Sequence, residues 1–257
     1  MTIATADFIA GMAKGMAVLE SFDTERQRLN ATLAAQRAGL TRAAARRHLL
    51  TLVHLGYLET DGSYFWLSPK VLRLSGSYLA SARLPRVVQP TLNRLAAQTQ
   101  GSFSAVVLDG DEVVIVARSG FQNDPTRVTA YGLHLGARLP AHATSTGRML
   151  LACLDRPAFD EWMRGRQLPR LTTDTTTQPA ALRRAVADAR RQDWCLASEE
   201  HELGVTALAV PLRDMHGQVV AALNVVLSTT QGLDSAALQR ELLPLLLEAA
   251  REVRSLL

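Results

Sequence analysis

The chain has 257 residues, 47% of them hydrophobic and 20% charged, a balance that excludes disorder and fits one or two globular domains. No apolar run reaches the roughly 18 residues of a membrane span, and the opening MTIATADFIAGMAKG lacks the basic start and apolar block of a secretory signal. A cytoplasmic location without a membrane partner is therefore expected. The two cysteines, Cys153 and Cys195, are too few to build a zinc site and read as reduced, small core residues; no metal and no cofactor is expected. The net charge of +4 is unevenly held. Residues 1–85 carry 10 Lys and Arg against 6 Asp and Glu, whereas residues 86–257 carry 18 against 18. A field of one sign beside a neutral remainder is the footprint of a polyanion-binding module, because neutralised phosphates release counterions.

In chain order, FIAGMAKGMAVLESF spaces Met12, Met16 and Leu19 at helical intervals. Asn30 can cap a short second helix, ATLAAQRA, which ends at Gly39, where the chain can turn with positive φ. Thr41 then caps a third helix in which Ala45, His48, Leu49 and Leu52 share one face and Ala43, Arg46 and Arg47 project from the other. The window 26–58 holds six arginines and no acid, so nothing nearby in sequence neutralises Arg42, Arg46 or Arg47. A capped helix, a glycine turn and a second capped helix make a helix-turn-helix. Its candidate DNA contacts are Thr41, Arg42, Ala43, Arg46 and Arg47. YLETDGSYFWLSP reads as two short strands around Asp61 and Gly62, a wing. Alternation puts Tyr64 and Trp66 on one face and Phe65 on the other, with one side filling the small core.

Val71, Leu74, Tyr78 and Leu79 predict a further helix over 68–84, closed by Pro85. It has too few charges to stand alone, so its apolar face is expected to meet a second copy of itself. Downstream, SFSAVVLDGDEVVIVARS is a hairpin turning at Asp109 and Gly110, and ALAVPLRDMHGQVVAALNVVL another, turning near His216 and Gly217. Helices lie around TSTGRMLLACL and QPAALRRAVADARRQ, and an amphipathic helix from Ser235 to Leu257, bent at Pro244, closes the chain. An antiparallel sheet flanked by helices is an α+β, sensor-like domain. The boundaries read as 1–68 for the DNA-binding part, 69–85 for a linker helix and 86–257 for the effector domain.

LPAHATSTGR offers an anion site: Thr144, Ser145 and Thr146 stand at a helix start, where unpaired N–H groups and the positive dipole end favour a carboxylate without any buried lysine or arginine. An enzymatic reading finds little support. Glu199, Glu200 and His201 are adjacent, with His134, His142 and His216 scattered around them, but no His-x-x-x-His or Glu-x-x-His pair, nucleophile elbow or phosphate loop is present. Glu200 and His201 instead read as holding the loop that closes the pocket. A purely architectural DNA-binding protein would leave the neutral residues 86–257 without a purpose, and sensing supplies one.

GMAVLESF, LTLVHLGYLETDGSYFWLSPKVLRL, GARLPAHATSTGRMLLA, SEEHELGV and ALAVPLRDMHGQVVAALNVV, in this order over nearly the whole chain, resemble an IclR-type transcriptional regulator. AGMAKGMAVLESF, TRAAARRHLLTL, LPAHATSTGR and EEHELG are most similar to the family's aromatic-acid regulators, above all to its para-hydroxybenzoate-responsive activators. The resemblance implies a winged helix-turn-helix, a linker helix and a GAF-like effector-binding domain, assembled as a dimer or a dimer of dimers. It also implies the pocket walls: Val128, Tyr131 and Leu139 on the apolar side, and Ala197, Ala207, Asn224 and Val226 on the polar side. Ala197 and Ala207 stand where relatives that bind small aliphatic acids carry polar groups, a departure that enlarges and dries the pocket enough for a flat ring. The implied partners are operator DNA, a small aromatic carboxylic acid, a second copy of the chain and, for an activator, RNA polymerase. The alternatives are a protocatechuate-responsive regulator of the β-ketoadipate pathway and a repressor responding to another small carboxylic acid.

Overall fold

A computed structural model describes residues 3–23, 26–99, 101–119, 134–228 and 235–257. The chain divides into two compact units, residues 1–80 and 81–257.

The first unit holds α1 (Ala10–Leu19), α2 (Ala31–Ala38), α3 (Arg42–His54), the hairpin β1 (Leu58–Thr60) and β2 (Phe65–Leu67), and most of α4 (Leu72–Ser81). Local chemistry sets its turns. Asn30 Oδ1 accepts the N–H groups of Thr32 and Leu33 at 3.0 and 2.9 Å, satisfying two of the donors that open α2. Gly39 ends that helix at φ 65°, a left-handed conformation that a β-carbon disfavours. Thr41 Oγ1 accepts Ala44 N–H at 3.2 Å and starts α3. Ala45 and Leu49 of α3 pack with Val18, Leu29, Ala34, Leu58 and Phe65 in one core. The residue that α1 buries is Val18, while Met12 and Met16 are exposed; helical spacing located the helix but not its inner face. Phe65 is the wing aromatic that enters the core, and its backbone exchanges hydrogen bonds with Leu29 at 2.8 and 3.0 Å.

The helix expected over 68–84 is shorter: a single 3-10 turn at Pro69–Val71, then α4. Pro85 does not close it. It lies in the first turn of α5 (Arg83–Thr99), where its missing N–H would have had no intrahelical acceptor. None of the α4 side chains is buried, and Leu72, Leu74 and Tyr78 are exposed.

The second unit continues from α5 through β3 (Ser102–Asp109), β4 (Glu112–Ser119), β5 (Arg138–Pro140), α6 (Ser145–Cys153), α7 (Arg156–Met163), α8 (Pro179–Gln192), β6 (Cys195–Ser198), β7 (Val205–Arg213), β8 (Val219–Ser228) and α9 (Ser235–Arg254). Its antiparallel sheet has six strands in the order β5-β4-β3-β8-β7-β6. The two foreseen hairpins are present, with Gly110 and Gly217 at φ 66° and 80°. One core joins α5 and α9 to the sheet through Leu92, Phe103, Leu208, Leu223 and Leu246. On the opposite face, Met149, Leu151, Phe159, Leu182 and Val186 of α6, α7 and α8 pack on Val113, Ile115 and Ala222. α9 continues through Pro244 as one helix. Burial pushes the Cys153 thiol up to about 11 and the Cys195 thiol up to about 12. No described helix is long and apolar enough to cross a membrane.

Candidate functional site

On the first unit, Thr41, Arg42, Ala43, Arg46 and Arg47 are all exposed around the start of α3. The arginines of the unit fall into two groups. Arg28 pairs with Asp61 at 2.9 Å and stacks 4.2 Å over the Trp66 ring, whose indole N–H donates to Glu59 at 3.0 Å. Arg37 pairs with Asp23. Arg42, Arg46 and Arg47 have no ion-pair partner among the described residues. The acids that were absent from the arginine-rich window thus return from outside it, but only to Arg28 and Arg37, and leave the outward face of α3 uncompensated. Trp66 anchors the wing internally. The Asp61 carboxyl is held below the usual range by the N–H groups of Tyr64 and Ser63, then by Arg28.

On the second unit, Gly147 sets the position of α6. A β-carbon there would lie 2.2 Å from the Ala141 carbonyl oxygen and 2.3 Å from its Cα, so only glycine lets the start of α6 sit against the 141–143 turn. Thr144 Oγ1 accepts Gly147 N–H at 3.1 Å and donates to the Pro140 carbonyl at 3.2 Å. The N–H groups of Ser145 and Thr146 find no acceptor among the described residues. Both residues line a pocket of about 590 Å³, counting its open mouth.

Leu139, Thr144, Ser145, Thr146, Ala197, Ala207, Asn224 and Val226, all singled out in the sequence, line this one pocket. Val128 and Tyr131 lie outside the described residues. The lining also includes Ser104, Val106, Ile115 and Ala143, and from the segment after β6 Glu200, His201, Glu202 and Val205. Most of these had no local signature: a serine or valine in a strand announces nothing until the sheet order is known. Ala197 and Ala207 are direct cross-strand partners, and Ala207 in turn opposes Val226, so this end of the floor is built of small apolar groups. Among the described residues, two buried side-chain polar atoms have no hydrogen-bond partner, Ser145 Oγ and Asn224 Oδ1, in residues only 1% and 7% exposed. Both belong to the pocket lining. An unpaired buried polar atom is unfavourable by roughly 1–3 kcal/mol, and a ligand with polar groups at matching positions would relieve both.

Beside the pocket lies a buried ion pair that was not foreseen. Arg148, in α6, donates both terminal nitrogens to the two carboxylate oxygens of Glu200 and its Nε to the His142 carbonyl at 2.8 Å. Thr176 N–H adds a further bond to Glu200 at 2.8 Å, and Thr172 and Thr175 hydroxyls donate to the carbonyls of Glu199 and Glu200 at 2.6 and 2.7 Å. Glu199, at φ 58°, turns the chain at the start of this loop. Burial alone would raise the Glu200 carboxyl, but the hydrogen bonds and charge of Arg148, with Thr176, outweigh it and hold the group below its ordinary value. The nearby His142, whose Nε2 lies 3.0 Å from the Pro169 carbonyl, and His201 are both pushed down by burial. An arginine is therefore buried beside the pocket, although the sequence reading required none, and its charge is taken by Glu200. The same pairing occupies the carboxylate that a metal or a general-base role would require. Among the described residues, no group of three His, Cys, Asp or Glu side chains is arranged to hold a metal.

A helix-turn-helix unit followed by a unit with a small-molecule pocket is the layout of a ligand-responsive transcriptional regulator. The chain belongs to the IclR family: the IclR helix-turn-helix domain matches residues 11–62 and the bacterial transcriptional regulator IclR C-terminal domain residues 76–255. The Pca operon regulatory protein of Acinetobacter baylyi is 55% identical over 251 residues, 98% of this chain and 90% of that protein. The p-hydroxybenzoate hydroxylase transcriptional activator of the same organism is 52% identical over 255 residues, 99% of this chain and 94% of its own length. Among solved structures, a double mutant of the PobR inducer-binding domain from Acinetobacter in complex with 3-hydroxybenzoic acid superposes with a TM-score of 0.63 at 47% identity, covering 67% of this chain and 98% of that one.

Because the folded Glu200 carboxyl is depressed, its stabilisation is fully present above its ordinary value of 4.5 and is lost as the pH falls through the lower folded value. Calorimetric melting should therefore show the parent losing stability below about pH 4.5, with a Glu200→Gln variant less stable at neutral pH and less sensitive in that acid window. Arg148→Met leaves a buried carboxylate alone and should destabilise the protein by about 3–5 kcal/mol, whereas an Arg148→Met, Glu200→Leu double variant should be less damaged than the single one.

Proposed function

We propose that the protein senses a monocyclic aromatic acid, para-hydroxybenzoate in first place and protocatechuate in second, and that binding alters its hold on operator DNA at genes of aromatic-acid breakdown, as an activator. The observation that carries this reading is the pair of orphaned atoms in an otherwise largely apolar pocket. Ser145 Oγ, beside the free N–H groups of Ser145 and Thr146, can donate to a carboxylate, and Asn224 Oδ1 can accept from a phenolic hydroxyl. The apolar surfaces of Leu139, Val106, Ile115 and Val226 suit a ring between these two poles. The relative that activates p-hydroxybenzoate hydroxylase supports both the ligand class and the sign of regulation.

On the DNA side, Arg46 and Arg47 are the residues for base edges and phosphates, with Thr41, Arg42 and Ala43 at the helix start. The exposed Leu72, Leu74 and Tyr78 of α4 supply part of a self-pairing surface, which sets two recognition helices on half-sites roughly 34 Å apart or a multiple of it. As an activator the dimer, or dimer of dimers, then works beside RNA polymerase in the cytoplasm.

Arg46→Ala or Arg47→Ala should weaken operator binding by about 1–3 kcal/mol if the residue reads a base. A residue that touches phosphate alone should instead weaken all sequences alike and reduce the salt slope by about one unit. If both variants bind operator within a few-fold of the parent across salt concentrations, this assignment of the recognition helix is wrong. Leu74→Glu inserts charge into the proposed pairing face, so light scattering after size exclusion should report a smaller mass; an unchanged mass removes α4 from the interface.

At para-hydroxybenzoate concentrations about 100 times its dissociation constant, linkage adds about 2.7 kcal/mol and should raise the melting temperature by several degrees. Benzoate leaves Asn224 unpaired and should bind more weakly by about 1–3 kcal/mol, a gap that Asn224→Leu should narrow. Equal shifts for the two acids would remove the hydroxyl contact, and no shift with any aromatic acid would remove the ligand class.

A further inference from the structure

Ser104 lines the effector pocket, and its direct cross-strand partners are Asn224 on β8 and Arg118 on β4. Residues opposite one another in an antiparallel sheet share a face, with Cβ atoms about 5 Å apart. Arg118, Ser104 and Asn224 therefore form one row on the pocket side. The neighbours of Arg118 agree with this: Ala117 belongs to the opposite core with Phe103 and Leu223, whereas Ile115 lines the pocket. The register slips once between Ala105 and Val106, so that Val116 is an extra residue in β4 and Ile115 and Arg118 come to the same face.

Arg118 is half-buried, burial lowers its pKa, and among the described residues no hydrogen bond or nearby charge offsets that effect. Other arginines of this unit that lie against the sheet or the pocket have acidic partners: Arg148 has Glu200, Arg213 has Asp193, and Arg138 has Asp109 and Glu112. Among the described residues Arg118 has none. A half-buried guanidinium kept without an anion is unfavourable unless an anion arrives from outside. Meanwhile the described residues of the pocket lining include no lysine or arginine, so a ligand carboxylate among them would meet only neutral N–H and O–H donors. Each side lacks what the other has.

We propose that Arg118 is the counter-ion of the effector's carboxylate, acting together with the N–H groups at the start of α6. The inference rests on the reading of the pocket as an aromatic-acid site. The spacing supports it: β8 and β4 are two strand intervals apart, roughly 10 Å, which is the order of a hydroxybenzoate's length plus a hydrogen bond at one end. A hydroxyl on Asn224 thus directs the carboxylate across β3 towards Arg118. The guanidinium supplies charge, and the Ser145 and Thr146 donors supply direction.

The test is titration calorimetry of the full chain with para-hydroxybenzoate and with benzoate, on the parent, Arg118→Met and Arg118→Lys. Arg118→Met should lose at least tenfold in affinity for both acids by the same factor, because both carry the carboxylate, and Arg118→Lys should recover part of the loss. Melting temperatures without ligand identify any variant that has lost its fold, in which case the Lys variant against the parent carries the comparison. A folded Arg118→Met that binds para-hydroxybenzoate within threefold of the parent overturns the proposal, as does a loss confined to para-hydroxybenzoate, which would put Arg118 at the hydroxyl. Failure of the parent to bind any aromatic acid is a separate outcome and strikes the ligand class instead.

Discussion

The buried pair between Arg148 and Glu200 is the interaction on which the sensing half of this protein depends. It joins the start of α6 to the loop after β6, which the threonine-rich segment around Thr172–Thr176 also holds through its own hydrogen bonds. Remove it and the pocket loses one wall, because Glu200, His201 and Glu202 all lie on the loop it fixes. A pair this dry gains little net energy over apolar residues of similar volume, since desolvation of both ions opposes their attraction. Its value is geometric. Two forked bonds and a third to the His142 carbonyl allow the loop one position against the helix.

Charge in both units follows a single logic, in which pairing silences some arginines and leaves others uncompensated among the described residues. In the first unit Asp61 and Asp23 occupy Arg28 and Arg37, so the basic window narrows to the outward face of α3. Arg28 further becomes structural by lying on Trp66, and the wing aromatics hold the hairpin to its own unit through Phe65 and the Glu59–Trp66 bond. The second unit follows the same rule at the sheet, where Arg148, Arg213 and Arg138 are occupied. Net charge alone reported the sum; the pairing decides which residues can act.

How far the sequence could be read depended on how local each determinant is. Asn30, Gly39 and Thr41 act within four positions of themselves, so the helix-turn-helix was legible residue by residue. Ser145 and Thr146 were legible as a helix start, but the other pocket residues only through resemblance, since Leu139, Ala197 and Asn224 converge on that helix end from distant strands. α5 was missed because Pro85 read as closing the preceding helix, although it sits in the first turn of α5, which runs on through Pro90. β5 and β6, of 3 and 4 residues, are too short to show a period. The partner of Arg148 lies 52 positions away, and no pattern in STGRMLLAC marks it. Strict alternation along EVVIVARS sets Arg118 on the face opposite Ile115, and only the irregularity at Val116 reverses that.

The burial of Cys153 and Cys195 bears on what this regulator can be told. With thiols pushed up to about 11 and about 12, on the order of one molecule in ten thousand or fewer carries either thiolate at neutral pH, and the thiolate is the form that peroxides and disulfides attack. Burial therefore holds both sulfurs in the thiol form, which reacts more slowly than the thiolate of an activated cysteine. A switch whose sulfurs respond slowly reports the concentration of its ligand rather than the redox state around it.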